Sequence, residues 1–142
     1  MTLRVVCPHC VATNRVPAER LAERPKCGKC REPLYTGQPV ALTGASFEAH
    51  ATRSDIPLVV DFWAAWCGPC RTMASAYAQA AAQLEPHYRL GKVNTDAEPE
   101  LAVRFGIRSV PTLVLIRHGR ELARHSGAIG TQDIVRWVRT CG

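Results

Sequence analysis

Leu58-Val59-Val60-Asp61-Phe62-Trp63-Ala64-Ala65-Trp66-Cys67-Gly68-Pro69-Cys70 passes from an apolar run holding a single acid into a Cys-x-x-Cys pair. Continuous apolar runs of this length are the buried strands of sheets covered on both faces. Past Pro69 or Cys70, Met73, Tyr77, Ala80 and Leu84 recur at helical spacing until Pro86 stops the helix. A lone Cys-x-x-Cys at a strand-to-helix junction reads as a redox dithiol rather than a metal knuckle. At a helix N-terminus, unsatisfied N–H groups and the positive end of the dipole stabilise a thiolate, which favours Cys67 as the low-pKa partner. Cys70, about one turn further in, is expected to be shielded and harder to ionise. Asp61 stands out because a carboxylate inside an apolar strand is costly unless it has a partner or a task. Desolvation should raise its pKa toward the range of a general base.

Outward from this stretch the pattern alternates. Thr36-Gly37-Gln38-Pro39 is turn-forming, and Val40-Ala41-Leu42 reads as a short strand. Ser46 is the expected cap of a helix through Ala51. Arg89 to Asn94 reads as a strand. Ala97 to Phe105 reads as a helix, with Pro99 in its first turn and Gly106 past its end. Thr112–Arg117 and Arg120–His125 form a hairpin over His118-Gly119, and Thr131 is expected to cap a final helix. Ile134, Val135, Val138 and Cys141 share a face of that helix, which predicts Cys141 as a small packed hydrophobe. The order is βαβαβαββα, an α/β chain.

The cysteines before Thr36 follow another logic. Cys7-Pro8-His9-Cys10 and Cys27-Gly28-Lys29-Cys30 are two knuckles whose spacing reads as a structural Zn²⁺ site. Four thiolates leave no open position, so the site is not catalytic, and His9 is surplus to the set. Large apolar residues are few in this segment, and a unit so small normally requires a metal or disulfides. Residues 1–36 are therefore expected to be a zinc-binding module whose metal-binding energy is folding energy, and residues 37–142 a separate domain. Packing of the module beside Trp66 would let metal and dithiol communicate.

The chain has 142 residues, 46% of them hydrophobic, and seven cysteines. No segment resembles a signal peptide and no apolar run can span a bilayer, which predicts a cytoplasmic protein without a membrane partner. In that compartment disulfides are transient and catalytic, while cysteine clusters bind metal. The formal net charge is +6. Residues 1–36 hold seven Lys/Arg against three Glu, but no basic cluster is interleaved with aromatics, so nucleic acid is not the expected partner.

Asp61 through Cys70, then Lys92-Val93-Asn94, then Phe105-Gly106-Ile107-Arg108-Ser109-Val110-Pro111-Thr112, together resemble the thioredoxin family. The four-Cys module resembles that of the zinc-binding second thioredoxins of bacteria. The resemblance implies a thioredoxin fold, a central mixed sheet flanked by helices, with a small zinc-ribbon-like appendage. It implies a monomeric reductant of disulfide-containing client proteins, recycled by an NADPH-dependent thioredoxin reductase. Cys67 would be the nucleophile, Cys70 the resolving thiol in a redox-active Cys67–Cys70 disulfide, Asp61 the base acting through water, and Lys92 the residue that tunes Asp61. Trp66, Gly68, Pro69, Val110, Pro111, Gly127 and Ala128 map onto the apolar collar that docks substrates, with Val110-Pro111 in the position of a cis-proline loop. The sequence departs from the common pattern at Ala65 and at Ser75, which stands where a helix-kinking proline is usual. Two other readings remain open from the sequence: a redox-sensing interaction module that signals by zinc release, and a nucleic-acid-binding zinc ribbon on a thioredoxin-like domain.

Overall fold

A computed structural model describes residues 1–142. The chain forms two sheets. The small one is a hairpin of β1 (Thr2–Val6) and β2 (Thr13–Pro17), antiparallel, with Val5 opposite Asn14. A 3-10 turn over Ala18–Arg20 follows it. The sequence reading assigned no strands here, because five-residue strands with polar alternation are indistinguishable from loop.

The large sheet contains β3 (Val40–Ala41), β4 (Leu58–Trp63), β5 (Arg89–Asn94), β6 (Thr112–Arg117) and β7 (Arg120–Ser126), in the spatial order β3-β5-β4-β6-β7. β4 lies parallel to β5 and antiparallel to β6. β4 is central, which is why all but its last residue are buried. One face is covered by α2 (Gly68–Leu84) and α4 (Thr131–Cys141), where Met73, Tyr77, Leu84, Ile134 and Val138 pack on Val59, Leu90, Leu113 and Leu115. The other face is covered by α1 (Gly44–Glu48), the π-helical turn Ala49–Arg53 and α3 (Pro99–Arg104), around Phe47, Phe62, Leu101 and Val114. The β6–β7 turn holds His118 at φ 48° and Gly119 at φ 77°, the left-handed pair that a two-residue hairpin requires.

Three local expectations change. Thr43, not Ser46, caps α1; Ser46 Oγ accepts the Thr43 amide from the third helical position instead. Gly130 caps α4, and the Thr131 hydroxyl donates to the Ala76 carbonyl, tying α4 to α2. Cys141 is exposed rather than packed; the inward position at this end of α4 falls to Gly142, where a Cβ would meet Leu115 and Tyr88.

Residues 1–36 seat on the end of the sheet where β4 and β5 begin. The Arg4 amide donates to Asp55 Oδ2 at 2.7 Å, and the Asp55 amide returns a bond to the Arg4 carbonyl at 2.9 Å. Buried Arg89 donates from Nη2 to the Val6 carbonyl at 2.9 Å, with its guanidinium 4.2 Å from the Tyr35 ring centre. Ile56 completes the cluster of Val5, Val16, Leu21 and Leu34. The dithiol follows the other end of β4, about 20 Å away at ~3.3 Å per residue. The contacts that anchor the module, through Asp55, Ile56 and Arg89, thus lie at the end of the sheet opposite Trp66.

Candidate active site and metal centre

β4 delivers the chain to a turn in which the Cys67 amide bonds the Ala64 carbonyl, and α2 starts at Gly68 with Cys67 as its N-cap. Pro69 lies in the first turn, where its missing N–H costs nothing and its fixed φ suits the helix. Cys67 and Cys70 are joined as a disulfide, with Cα atoms 5.3 Å apart. Both are almost buried in this oxidised state, 4% and 3% exposed, so accessibility does not separate them. Hydrogen bonding does: Cys67 Sγ accepts the Cys70 amide at 3.1 Å, a helix N–H aimed at the sulfur that would carry charge.

Val110-Pro111 is cis, and the Val110 carbonyl lies 3.6 Å from Cys67 Sγ. Pro111 is buried, and its carbonyl accepts the amide of Gly127, whose φ of 104° disfavours other residues. Gly127 and Ala128 are exposed beside it. Trp66 is 69% exposed, held by an indole N–H bond to Asp96 Oδ2 at 3.0 Å. Next to it runs an open groove of about 170 Å³ lined by Trp66, Thr95, Ala102, Ile107, Arg108, Ser109 and Val110. A larger cavity of about 370 Å³ between Gly44 and α3 is lined by no cysteine.

Asp61 is 1% exposed, and its Oδ1 has no hydrogen-bond partner. Burial pushes its carboxyl up to about 7, against the opposing pull of Lys92. Lys92 is the register partner of Asp61 on β5, but it forms no ion pair with it; the ammonium sits 4.7 Å from the Trp63 ring centre.

At the other end of the molecule, the Sγ atoms of Cys7, Cys10, Cys27 and Cys30 lie within 4.8 Å of one another. Cys7–Cys30 and Cys10–Cys27 are each 3.6 Å apart. A tetrahedral ion with metal–sulfur bonds of about 2.3 Å needs sulfurs about 3.8 Å apart, so the donor set fits zinc. The amides of His9 and Cys10 donate to Cys7, and the Lys29 amide and the Asn14 side chain donate to Cys27, so N–H groups point at two of the sulfurs. Cys27 and Cys30 are driven in opposite directions. The Cys30 amide and the Asn14 side chain draw Cys27 down to about 6. Cys30, despite the Glu32 amide pulling it down, is pushed up to about 12 by desolvation and the neighbouring sulfurs. His9 is exposed and contributes only its amide.

Residues 38–140 match the family model described as Thioredoxin, and residues 6–32 match the one described as Thioredoxin 2, N-terminal. The chain belongs to the thioredoxin family. Among similar proteins, Thioredoxin C-3 of Corynebacterium nephridii is 43% identical over 134 residues, covering 94% of this chain and 92% of that one. The M-type chloroplastic thioredoxin of Chlamydomonas reinhardtii is 32% identical, covering 87% and 90%. Thioredoxin 1 of Nostoc sp. is 42% identical over 88 residues, covering 62% and 82%.

As a thioredoxin the chain is a protein-disulfide oxidoreductase, and Cys67–Cys70 is its redox disulfide. Of the residues expected in the substrate collar, Trp66, Gly68 and Pro69 adjoin the disulfide in sequence, Val110 meets Cys67 through its carbonyl, and Gly127 bonds Pro111, with Ala128 next to it in the chain. The sequence reading missed Asp96 and the groove residues Thr95, Ala102, Ile107, Arg108 and Ser109. Ile107 to Ser109 were within reach, since they immediately precede Val110 in a quoted motif. Thr95 and Ala102 carry no signal of their own; only the crossover through α3 brings them beside Trp66. No helix is long and apolar enough to cross a membrane.

Proposed function

We propose that Cys67 opens client disulfides and Cys70 completes the exchange, with Asp61 as base and one zinc ion in the N-terminal module. The supporting observation is the Cys67 sulfur at the N-cap of α2, receiving a helix amide while facing the cis-proline loop. In the reduced protein the Cys67 thiolate attacks one sulfur of a client disulfide and expels the other as thiolate. The mixed disulfide sits in the collar of Trp66, Gly68, Pro69, Val110, Pro111, Gly127 and Ala128. Asp61, poised near neutrality by burial, takes the Cys70 proton through water, and Lys92 limits how far its pKa climbs. The Cys70 thiolate then attacks the Cys67 sulfur, releases the second client thiol and closes the Cys67–Cys70 disulfide. Two electrons pass to the client.

Cys7, Cys10, Cys27 and Cys30 would hold the zinc, which supplies folding energy and no open coordination position. The module spans residues 1–36 and the redox domain residues 37–142. The clients are proteins with accessible disulfides, and the electron source that fits is an NADPH-dependent thioredoxin reductase. The chain works as a cytoplasmic monomer. Two variants test the order of attack. Cys70→Ser should stop turnover while trapping clients covalently on Cys67; Cys67→Ser should stop turnover and trap none. Capture by Cys67→Ser alone would reverse the assignment.

A further inference from the structure

Tyr77 reads in the sequence as one more apolar contact on the inner face of α2, seven residues and two turns beyond Cys70. The structure gives it a polar task. Its side chain is fully buried, and its hydroxyl lies 2.8 Å from the Gly91 carbonyl on β5 and 3.1 Å from the Val59 carbonyl on β4. One hydroxyl carries one proton, so the two strands share a single donor. A buried hydroxyl without partners would cost kilocalories, and here two acceptors meet it.

The place of those carbonyls matters. The parallel ladder steps in twos from Arg89 N–H on Pro57 O to Thr95 N–H on Trp63 O, which puts the Gly91 amide on the Val59 carbonyl. The same pattern puts the Asp61 amide on the Gly91 carbonyl. Tyr77 thus grips both acceptors of the rung just below the Asp61–Lys92 pair. Asp61 lies two residues along β4 from Val59, on the same face and about 7 Å nearer the dithiol. From α2 this face meets Tyr77 and the cysteines; from β5 it meets Lys92; from β6 the register partner is apolar Leu113. One phenol therefore fixes the helix that carries Cys70 against the strand that carries Asp61 and the strand that carries Lys92.

We propose that Tyr77 is a positioning residue for the proton transfer between Cys70 and Asp61, acting through the β4–β5 rung beneath the carboxylate. This rests on the reading of Asp61 as base. Tyr77 stays protonated throughout, since burial holds its pKa well above the ordinary value. Its contribution is geometric and dielectric: it keeps bulk solvent, though not the water that relays the Cys70 proton, from the seam where Asp61 is buried, and it keeps the carboxylate aimed.

The test uses the full chain and Tyr77→Phe, which keeps the ring and removes the oxygen. Resolution of a preformed mixed disulfide on Cys67 is followed by stopped flow from pH 5 to 9, and the Asp61 carboxyl is titrated by ¹³C NMR. Expected are resolution slowed about three- to tenfold, an Asp61 midpoint at least half a unit lower as water enters the seam, and unchanged attack by Cys67. An unchanged or raised midpoint, or lost stability with wild-type resolution, overturns the proposal. Should the Phe variant not fold, the chain grown with 3-fluorotyrosine in a Tyr35→Phe, Tyr88→Phe background decides, because a stronger donor at Tyr77 must move the Asp61 midpoint. Asp61→Asn is run beside them. If it resolves at the wild-type rate, the Asp61 reading fails; if it is slow and Tyr77→Phe is not, only the Tyr77 proposal fails.

Discussion

Asp61→Asn should stabilise the oxidised protein at alkaline pH and leave it nearly unchanged in acid. The folded carboxyl titrates at about 7 against an ordinary 3.8, with burial as the leading cause. A gap of about three units corresponds to about 4 kcal/mol between the two protonation states. The sign follows from proton uptake. Between the two pKa values the folded state holds a proton that the unfolded chain has lost, so stability falls as pH rises through roughly 4 to 7. Above that window the wild type carries the whole cost of a buried carboxylate, and below it none. Asparagine is neutral throughout and of matching shape, so the variant escapes the cost. Urea unfolding at pH 8 should therefore show a gain approaching ~4 kcal/mol, shrinking to within about 1 kcal/mol at pH 4. Contributions of Glu85 and other titrating groups are common to both proteins and cancel in the difference. A wild-type minus variant gap that stays flat from pH 4 to 8 would refute the desolvation argument, as would an asparagine variant that is less stable at pH 8.

Three further outcomes follow from packing and sulfur chemistry. The zinc-loaded, oxidised chain should react with a maleimide at one thiol, Cys141, because two cysteines are bonded and four are held by metal; chelation should raise the count to five by mass spectrometry and unfold residues 1–36, while the 37–142 fragment stays folded and active toward insulin disulfides. Gly91→Ala would place a Cβ 2.5 Å from Cδ1 of buried Leu42, so it should lower stability by about 1–3 kcal/mol, and by clearly less when Leu42 is also trimmed to Val. Arg89→Leu removes the buried donor to Val6, the cation over Tyr35 and the charge beside Glu85; we expect a loss of about 3 kcal/mol and faster trypsin cleavage between Arg20 and Arg31, and unchanged cleavage would show that the module is held without Arg89.

The strand–dithiol–helix segment was legible because its signals are local. An apolar run of strand length, a helical period and a proline stop each involve neighbours in sequence. The metal knuckles were legible for the same reason, since four cysteines at fixed spacing admit few other chemistries. Caps were less so: Thr43 and Ser46 both have the right side chain, and only backbone geometry chose between them. Cys141 was misread because, at a helix end, periodicity does not choose which of two neighbouring residues meets the sheet, and here Gly142 lies against Leu115 and Tyr88.

By itself the sequence determined the α/β order, the separation of redox from metal cysteines and the anomaly of Asp61. Each follows from covalent neighbours or from the cost of a charge in an apolar strand. Tertiary structure alone decided the rest. It set the zinc module against the far end of the sheet, because Arg89 and Asp55 find partners in β1 that are more than thirty residues away. It lifted Asp61 to about 7 by closing α2 and β6 over it. It also turned Tyr77 from a core aromatic into a hydroxyl bridge across two strands, since a hydrogen bond between residues fourteen and eighteen apart exists only once the helix lies across the sheet.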